Sequence, residues 1–141
     1  MDIIEGLQNK NDSEAYILQL KLEKESTESN KYYSYFNDFL KLLDSKSSFV
    51  RTRGFRLICS QAKWDKENKI ENNIDLILQI LDDEKPIAVR QSLAALHTAI
   101  LYKPDLCLVI EEKLNTLNIS KYKDSMSPLI QKDIAELRGV M

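Results

Sequence analysis

One histidine, His97, and two cysteines, Cys59 and Cys107, are the only His or Cys side chains in the 141-residue chain. A single histidine excludes a multi-histidine metal site and a His-paired general acid and base. The cysteines lie far apart among apolar neighbours, too few for a disulfide framework and wrongly spaced for zinc or redox chemistry, so both read as reduced core residues. The glycines Gly6, Gly54 and Gly139 are widely separated, and no phosphate-cradling loop can be built from them. Carboxylate pairs such as Asp82-Asp83 and Glu111-Glu112 fall at expected helix ends or solvated faces. No catalytic, metal or cofactor constellation emerges, and the chain is expected not to be an enzyme. The concentration of cations is more telling: from Ser45 to Trp64 there are five basic residues and no acid.

These residues are carried by helices. Tyr32, Tyr35, Phe39 and Leu42, then Ile70, Ile74, Ile77 and Leu81, then Leu106, Ile110, Leu114 and Leu117 recur three and four apart, whereas no stretch alternates like a strand. The spacing predicts helices near 13–25, 31–43, 48–63, 68–82, 86–102, 105–117 and 126–139, with a possible turn at 2–8. Pro86, Pro104 and Pro128 each fall in a first turn, where a missing N–H costs nothing. Ser47 or Ser48 would cap the third helix. Three glycines and three prolines are too few for the turns of a sandwich or barrel. An all-α single domain over 1–141 is expected. The net charge of −2 and pI near 5.5 argue against a nucleic-acid coat. The apolar run from Leu93 to Tyr102 is too short to span a bilayer, and Met1 to Glu5 has no basic or long apolar stretch. A cytoplasmic location without membrane contact is the expectation.

Directions at 100° per residue separate the cations of helix 48–63. Arg51, among Phe55, Ile58 and Ala62, is expected to face the core, as is Arg90 among Ala94, His97 and Leu101. His97 itself reads as a partly buried, satisfied side chain. Phe49, Arg53, Arg56, Ser60 and Lys63 form a stripe opposite the core face. The matching stripe on helix 86–102 is Ala88, Ser92, Ala95, Ala99 and Tyr102, and on helix 126–139 it is Leu129, Asp133 and Glu136. Trp64, in the following turn, either plugs a gap between helices or presents a recognition surface.

The chain is also self-similar. Displaced by 39 positions, Leu42, Asp44, Val50, Arg51 and Leu57 coincide with Leu81, Asp83, Val89, Arg90 and Leu96; a further 41 brings Asp83, Val89, Arg90 and Leu96 onto Asp124, Ile130, Gln131 and Leu137. A two-helix period of about 40 marks a helical solenoid. The segment Leu81 to Leu96 resembles the turn and second helix of a HEAT repeat, with Asp44 and Arg51 in a preceding copy and a degenerate copy at 124–137. The resemblance implies a short armadillo-like superhelix with repeats near 31–63, 68–102 and 105–139 and an N-terminal cap over 1–28. First helices would be convex and second helices concave, and Arg51 and Arg90 would form an interior ladder with Asp44 and Asp83 as carboxylate partners. Over its whole length the chain resembles short bacterial HEAT-like proteins labelled SufBD-related, a name from iron–sulfur cluster assembly. Two isolated cysteines provide no four-thiolate cluster site.

Together these features lead to a non-enzymatic protein-interaction or scaffold module with a concave face. Phe49, Arg53, Arg56, Lys63 and Trp64 would take a protein partner through an acidic segment, since Arg and aromatic side chains dominate interface energetics. The alternative is a nucleic-acid-binding or DNA-repair protein of the HEAT-like glycosylase type, built on Trp64-Asp65 with Arg53 and Arg56. The acidic pI opposes it.

Overall fold

Capping residues start the helices where the periodicity begins. Asp2 and Asn11 accept the amides of Ile4 and Glu14 at the starts of α1 (Ile3–Leu7) and α2 (Asp12–Ser26). Ser47 accepts the amide of Val50 at the start of α4 (Ser48–Ser60), after α3 (Phe36–Leu42). Then come α5 (Lys69–Asn72), α6 (Ile74–Ile77), α7 (Pro86–Tyr102), α8 (Cys107–Leu114) and α9 (Ser127–Val140). This computed structural model describes residues 2–141 and contains no strand among them. The protein is all-α.

The expected helix over 68–82 is broken. It divides into α5, α6 and a 3-10 segment, Leu78–Asp82. The Asn73 side chain donates to the Lys69 carbonyl at 2.7 Å, and its φ of −121° leaves the helical range. Asparagine competes in this way with the backbone ladder it interrupts. The helices expected from 31 and 105 likewise begin as 3-10 turns, Tyr33–Tyr35 and Pro104–Leu106.

The long helices α2, α4, α7 and α9 are neighbours in that order, with α3 packed on α4 and the Leu78–Asp82 segment on α7. α4 is the most enclosed: Val50, Thr52, Arg53, Gly54, Phe55, Leu57, Ile58 and Cys59 are all buried. Phe36, Phe39, Phe55, Leu93, Ile110 and Leu137 join one continuous core. Cys59 lies inside it, its thiol pushed up by burial first and by the charge of Glu23 second. Cys107, at the start of α8, is only half-buried, contrary to expectation.

The expected phase of α7 is reversed. Ala88, Ser92 and Ala99, read as its outer stripe, are buried, while Ala94 and Leu101, read as inward, are exposed. The helix is apolar on nearly every side, so periodicity did not define its inner face; the small side chains lie where neighbouring helices come close.

Gly54 marks the closest approach of α3 and α4. A Cβ there would lie 2.8 Å from Leu42 Cβ and 2.9 Å from the Phe39 carbonyl oxygen. Gly→Ala inside a helix ordinarily gains about 1 kcal/mol. Here Gly54→Ala is expected to lose about 1–3 kcal/mol, the cost of overpacking, visible as a lower urea midpoint. A raised midpoint would mean that α3 moves aside freely.

Candidate interaction surface

The basic helix meets its counter-charges inside the chain. Arg53, expected on the outer stripe, is only 4% exposed. Its Nη1 donates to the Leu7 carbonyl at 2.9 Å and its Nη2 to Asp12 Oδ1 at 2.7 Å. One guanidinium thus satisfies a carbonyl left open at the end of α1 and the acid at the start of α2. Arg53 is therefore not available to a partner. A local stretch without acids gave the appearance of an unneutralised face; the acids come from α2, some forty residues earlier.

The other stripe residues separate into distinct roles. Arg56 donates through Nη2 to Glu23 Oε1 at 2.9 Å and through Nη1 to Gln91 Oε1 at 3.2 Å, tying α4 to both neighbours. Lys63 donates to the Thr27 carbonyl at 2.9 Å and lies over the Trp64 ring. Trp64 is half-buried, and its Nε1 donates to the Ser26 carbonyl at 2.6 Å. It closes against the end of α2, in the N-terminal segment that precedes the expected repeats. Phe49 is 57% exposed and stands at the start of α4. The five residues do not form one surface.

The two ladder arginines do find carboxylates, in a staggered order. Arg51 grips Asp83 with both arms, Nε to Oδ2 at 2.8 Å and Nη2 to Oδ1 at 3.1 Å, and holds the Ser45 carbonyl with Nη1. Arg90 does the same to Asp133 of α9, at 2.6 and 3.3 Å. Each arginine reaches forward to an acid of the next long-helix unit. Asp44, the first acid of the series, consequently has no arginine behind it; it is exposed and pairs with none among the described residues. Neither arginine is fully enclosed: their side chains are 23 and 37% exposed, although the Asp83 carboxylate is only 5% exposed.

A buried polar cluster escaped sequence reasoning. The Asp65 side chain is fully buried; it accepts from Tyr33 Oη at 2.5 Å and from the amides of Lys69 and Ile70 at 2.9 Å each. Lys103 Nζ lies 3.2 Å from it and 2.8 Å from Glu71. Burial alone would raise the Asp65 pKa, but hydrogen bonds from Tyr33, the two amides and Lys103 outweigh it and hold the carboxyl below its ordinary value. Burial first, and Asp65 second, push the Tyr33 phenol up. Only the position of Asp65 before an expected helix hinted at this, through its capping of α5. With Asp65 and Trp64 both engaged inside the fold and Arg53 buried, the constellation of the nucleic-acid alternative does not assemble.

Two grooves remain open, one of about 220 Å³ beside the Arg51–Asp83 pair and one of about 280 Å³ between α2, α4 and α7. In the larger, Glu23 forms one wall, Arg56, Cys59 and Ser60 the floor, and Gln91, Ala94, Ala95 and Thr98 the other wall. The exposed line of α7 continues one turn further to Leu101 and Tyr102, with Leu101 72% exposed. Arg56 is the one expected binding residue in this groove; Glu23, Gln91, Ala94 and Thr98 were not expected there, because the phase of α7 was misread. Among the described residues no group of three or more His, Cys, Asp or Glu side chains could hold a metal. No helix among them is long and apolar enough to cross a membrane. No protein-family model, curated protein or solved structure matches this chain.

Proposed function

We propose that the protein is a short HEAT-like helical-repeat module that binds a protein segment, without catalysis, in the groove between α2, α4 and α7. The repeat reading is supported by the succession of α2, α4, α7 and α9 and by the forward pairs Arg51–Asp83 and Arg90–Asp133, which couple neighbouring units as a stacked array requires. The interaction reading rests on the groove itself: small side chains at Ala94, Ala95 and Thr98 leave room beside Arg56, and Leu101 and Tyr102 extend the same face with apolar surface. Exposed apolar surface flanked by polar groups marks binding sites.

The partner's chemistry shifts with the charge balance. Asp12 and Glu23 already neutralise Arg53 and Arg56, so the recognised segment contributes chiefly apolar side chains along α7. A carboxylate or carbonyl at its end would compete with Glu23 for Arg56.

A benzophenone photo-cross-linker at exposed Thr98 should capture the partner in native lysate, and the same probe at Lys132, exposed and outside both grooves, should not. Ala94→Arg fills the groove from an exposed position, so it should abolish the adduct without lowering the melting temperature. Equal adducts at both positions, or an adduct that survives Ala94→Arg, would overturn the reading.

A further inference from the structure

Helix α2 turns Ala15, Gln19, Leu22 and Ser26 inward and leaves three large apolar side chains outward: Tyr16, Ile17 and Leu20, 46, 67 and 41% exposed. At 100° per residue these three share one arc, with Ile17 almost opposite the buried side. Tyr16, at one edge of the arc, lies under the Arg56 guanidinium, whose Cζ is 6.0 Å from the ring centroid, while Ile17 at the other edge is the most exposed of the three.

The charges beside this arc are ordered. Glu14 lies just under one turn before Ile17 and Lys21 just over one turn after it, both exposed on the same flank. The Asn9 amide group donates to Glu14 Oε2 at 2.9 Å, leaving Oε1 open to a further donor. Suppose a two-fold axis crosses α2 midway between Glu14 and Lys21. The second copy of the helix then runs antiparallel, and like flanks meet. Glu14 of each copy faces Lys21 of the other, so that two ion pairs form, while Tyr16 of each copy packs against Leu20 of the other across the Ile17 pair. A parallel two-fold arrangement would bring opposite flanks together, leaving Glu14 and Lys21 of each copy beside the apolar Tyr16 and Leu20 flank of the other with neither charge paired.

We propose that the outer face of α2 is the contact of a symmetric antiparallel homodimer. The self-complementary order of charge and apolar side chain is what an isologous interface requires, and it is what selects a second copy of this chain over an unrelated partner. One helix per copy buries less area than the roughly 1,200–2,000 Å² of standard stable interfaces. The association is accordingly weak and concentration-dependent. It leaves the α7 wall of the groove free, so it stands or falls separately from the proposed segment binding.

Sedimentation equilibrium over a wide concentration range tests it. The wild type should rise from 16.3 kDa towards twice that mass. Ile17→Glu and Leu20→Glu should stay monomeric at every concentration while melting like the wild type, because both positions are exposed. Glu14→Lys and Lys21→Glu should each weaken association about tenfold, the sum of two lost exposed pairs and their replacement by repulsion. The double variant Glu14→Lys/Lys21→Glu should restore it. A wild type that remains at 16.3 kDa throughout overturns the proposal. So does a double variant that fails to recover, since only the antiparallel pairing predicts rescue, and so does association that persists in Ile17→Glu.

Discussion

Asp65→Ala is expected to cost about 3–5 kcal/mol at neutral pH, the usual result of removing one partner from a buried ion pair. The substitution leaves Lys103, itself buried, with the residue-65 carbonyl and with Glu71 as its remaining counter-charge. It also deprives Tyr33 Oη and the amides of Lys69 and Ile70 of their common acceptor. Replacing the cation as well, in Asp65→Ala/Lys103→Met, should recover part of the loss, because no buried ammonium is then left to share only the half-exposed Glu71 carboxylate. The pH dependence has a definite sign. The folded-state pKa of Asp65 lies below its ordinary value of 3.8. Its contribution is therefore fully present above that value and is lost as pH falls through the folded pKa. Urea midpoints of wild type and Asp65→Ala should differ most at neutral pH and converge below pH 3.8. A gap that widens in acid would mean that Asp65 is protonated in the native protein.

Arg53→Glu should be comparably severe. It sets a carboxylate in a site that is 4% exposed, facing the Leu7 carbonyl and the Asp12 carboxylate, where every neighbour is an acceptor. A loss of at least about 4 kcal/mol is expected, the range reserved for buried uncompensated charge. Arg53→Met, which removes the donors without reversing the charge, should lose less, about 1–3 kcal/mol. The damage should be read where α1 and α2 join α4: limited proteolysis ought to cut first in residues 8–12, and the melting temperature ought to fall. A glutamate variant that melts like the wild type would show that the residue-53 side chain can turn to solvent.

The helical class was legible because apolar residues three and four apart need no distant information to be read. Ser47 capping α4 and Pro86 opening α7 were legible for the same reason. What failed was whatever depends on a neighbour. Within the twenty residues around α4 the cations look unneutralised, because Asp12 and Glu23 approach only when α2 folds against it. The paired Asp…Arg spacing drew attention to Arg51, Asp83 and Arg90 but placed them in an interior ladder, and it held no trace of the forward stagger that gives Arg90 to Asp133 and leaves Asp44 outside. The inner face of α7 was hidden because a helix apolar all round carries no directional signal. The groove, defined by that face, was hidden with it.

The enclosure of α4 also sets the order in which the molecule can open. A helix touched by α2, α3 and α7 meets solvent only when those neighbours separate, so its amide protons should exchange at the rate of complete unfolding. The last turn of α9, with Arg138, Gly139 and Val140 exposed, can fray by itself and exchange early. Protection against deuterium should therefore rise from the chain ends towards its middle, and the slowest amides of α4 measure the stability of the whole rather than of any part.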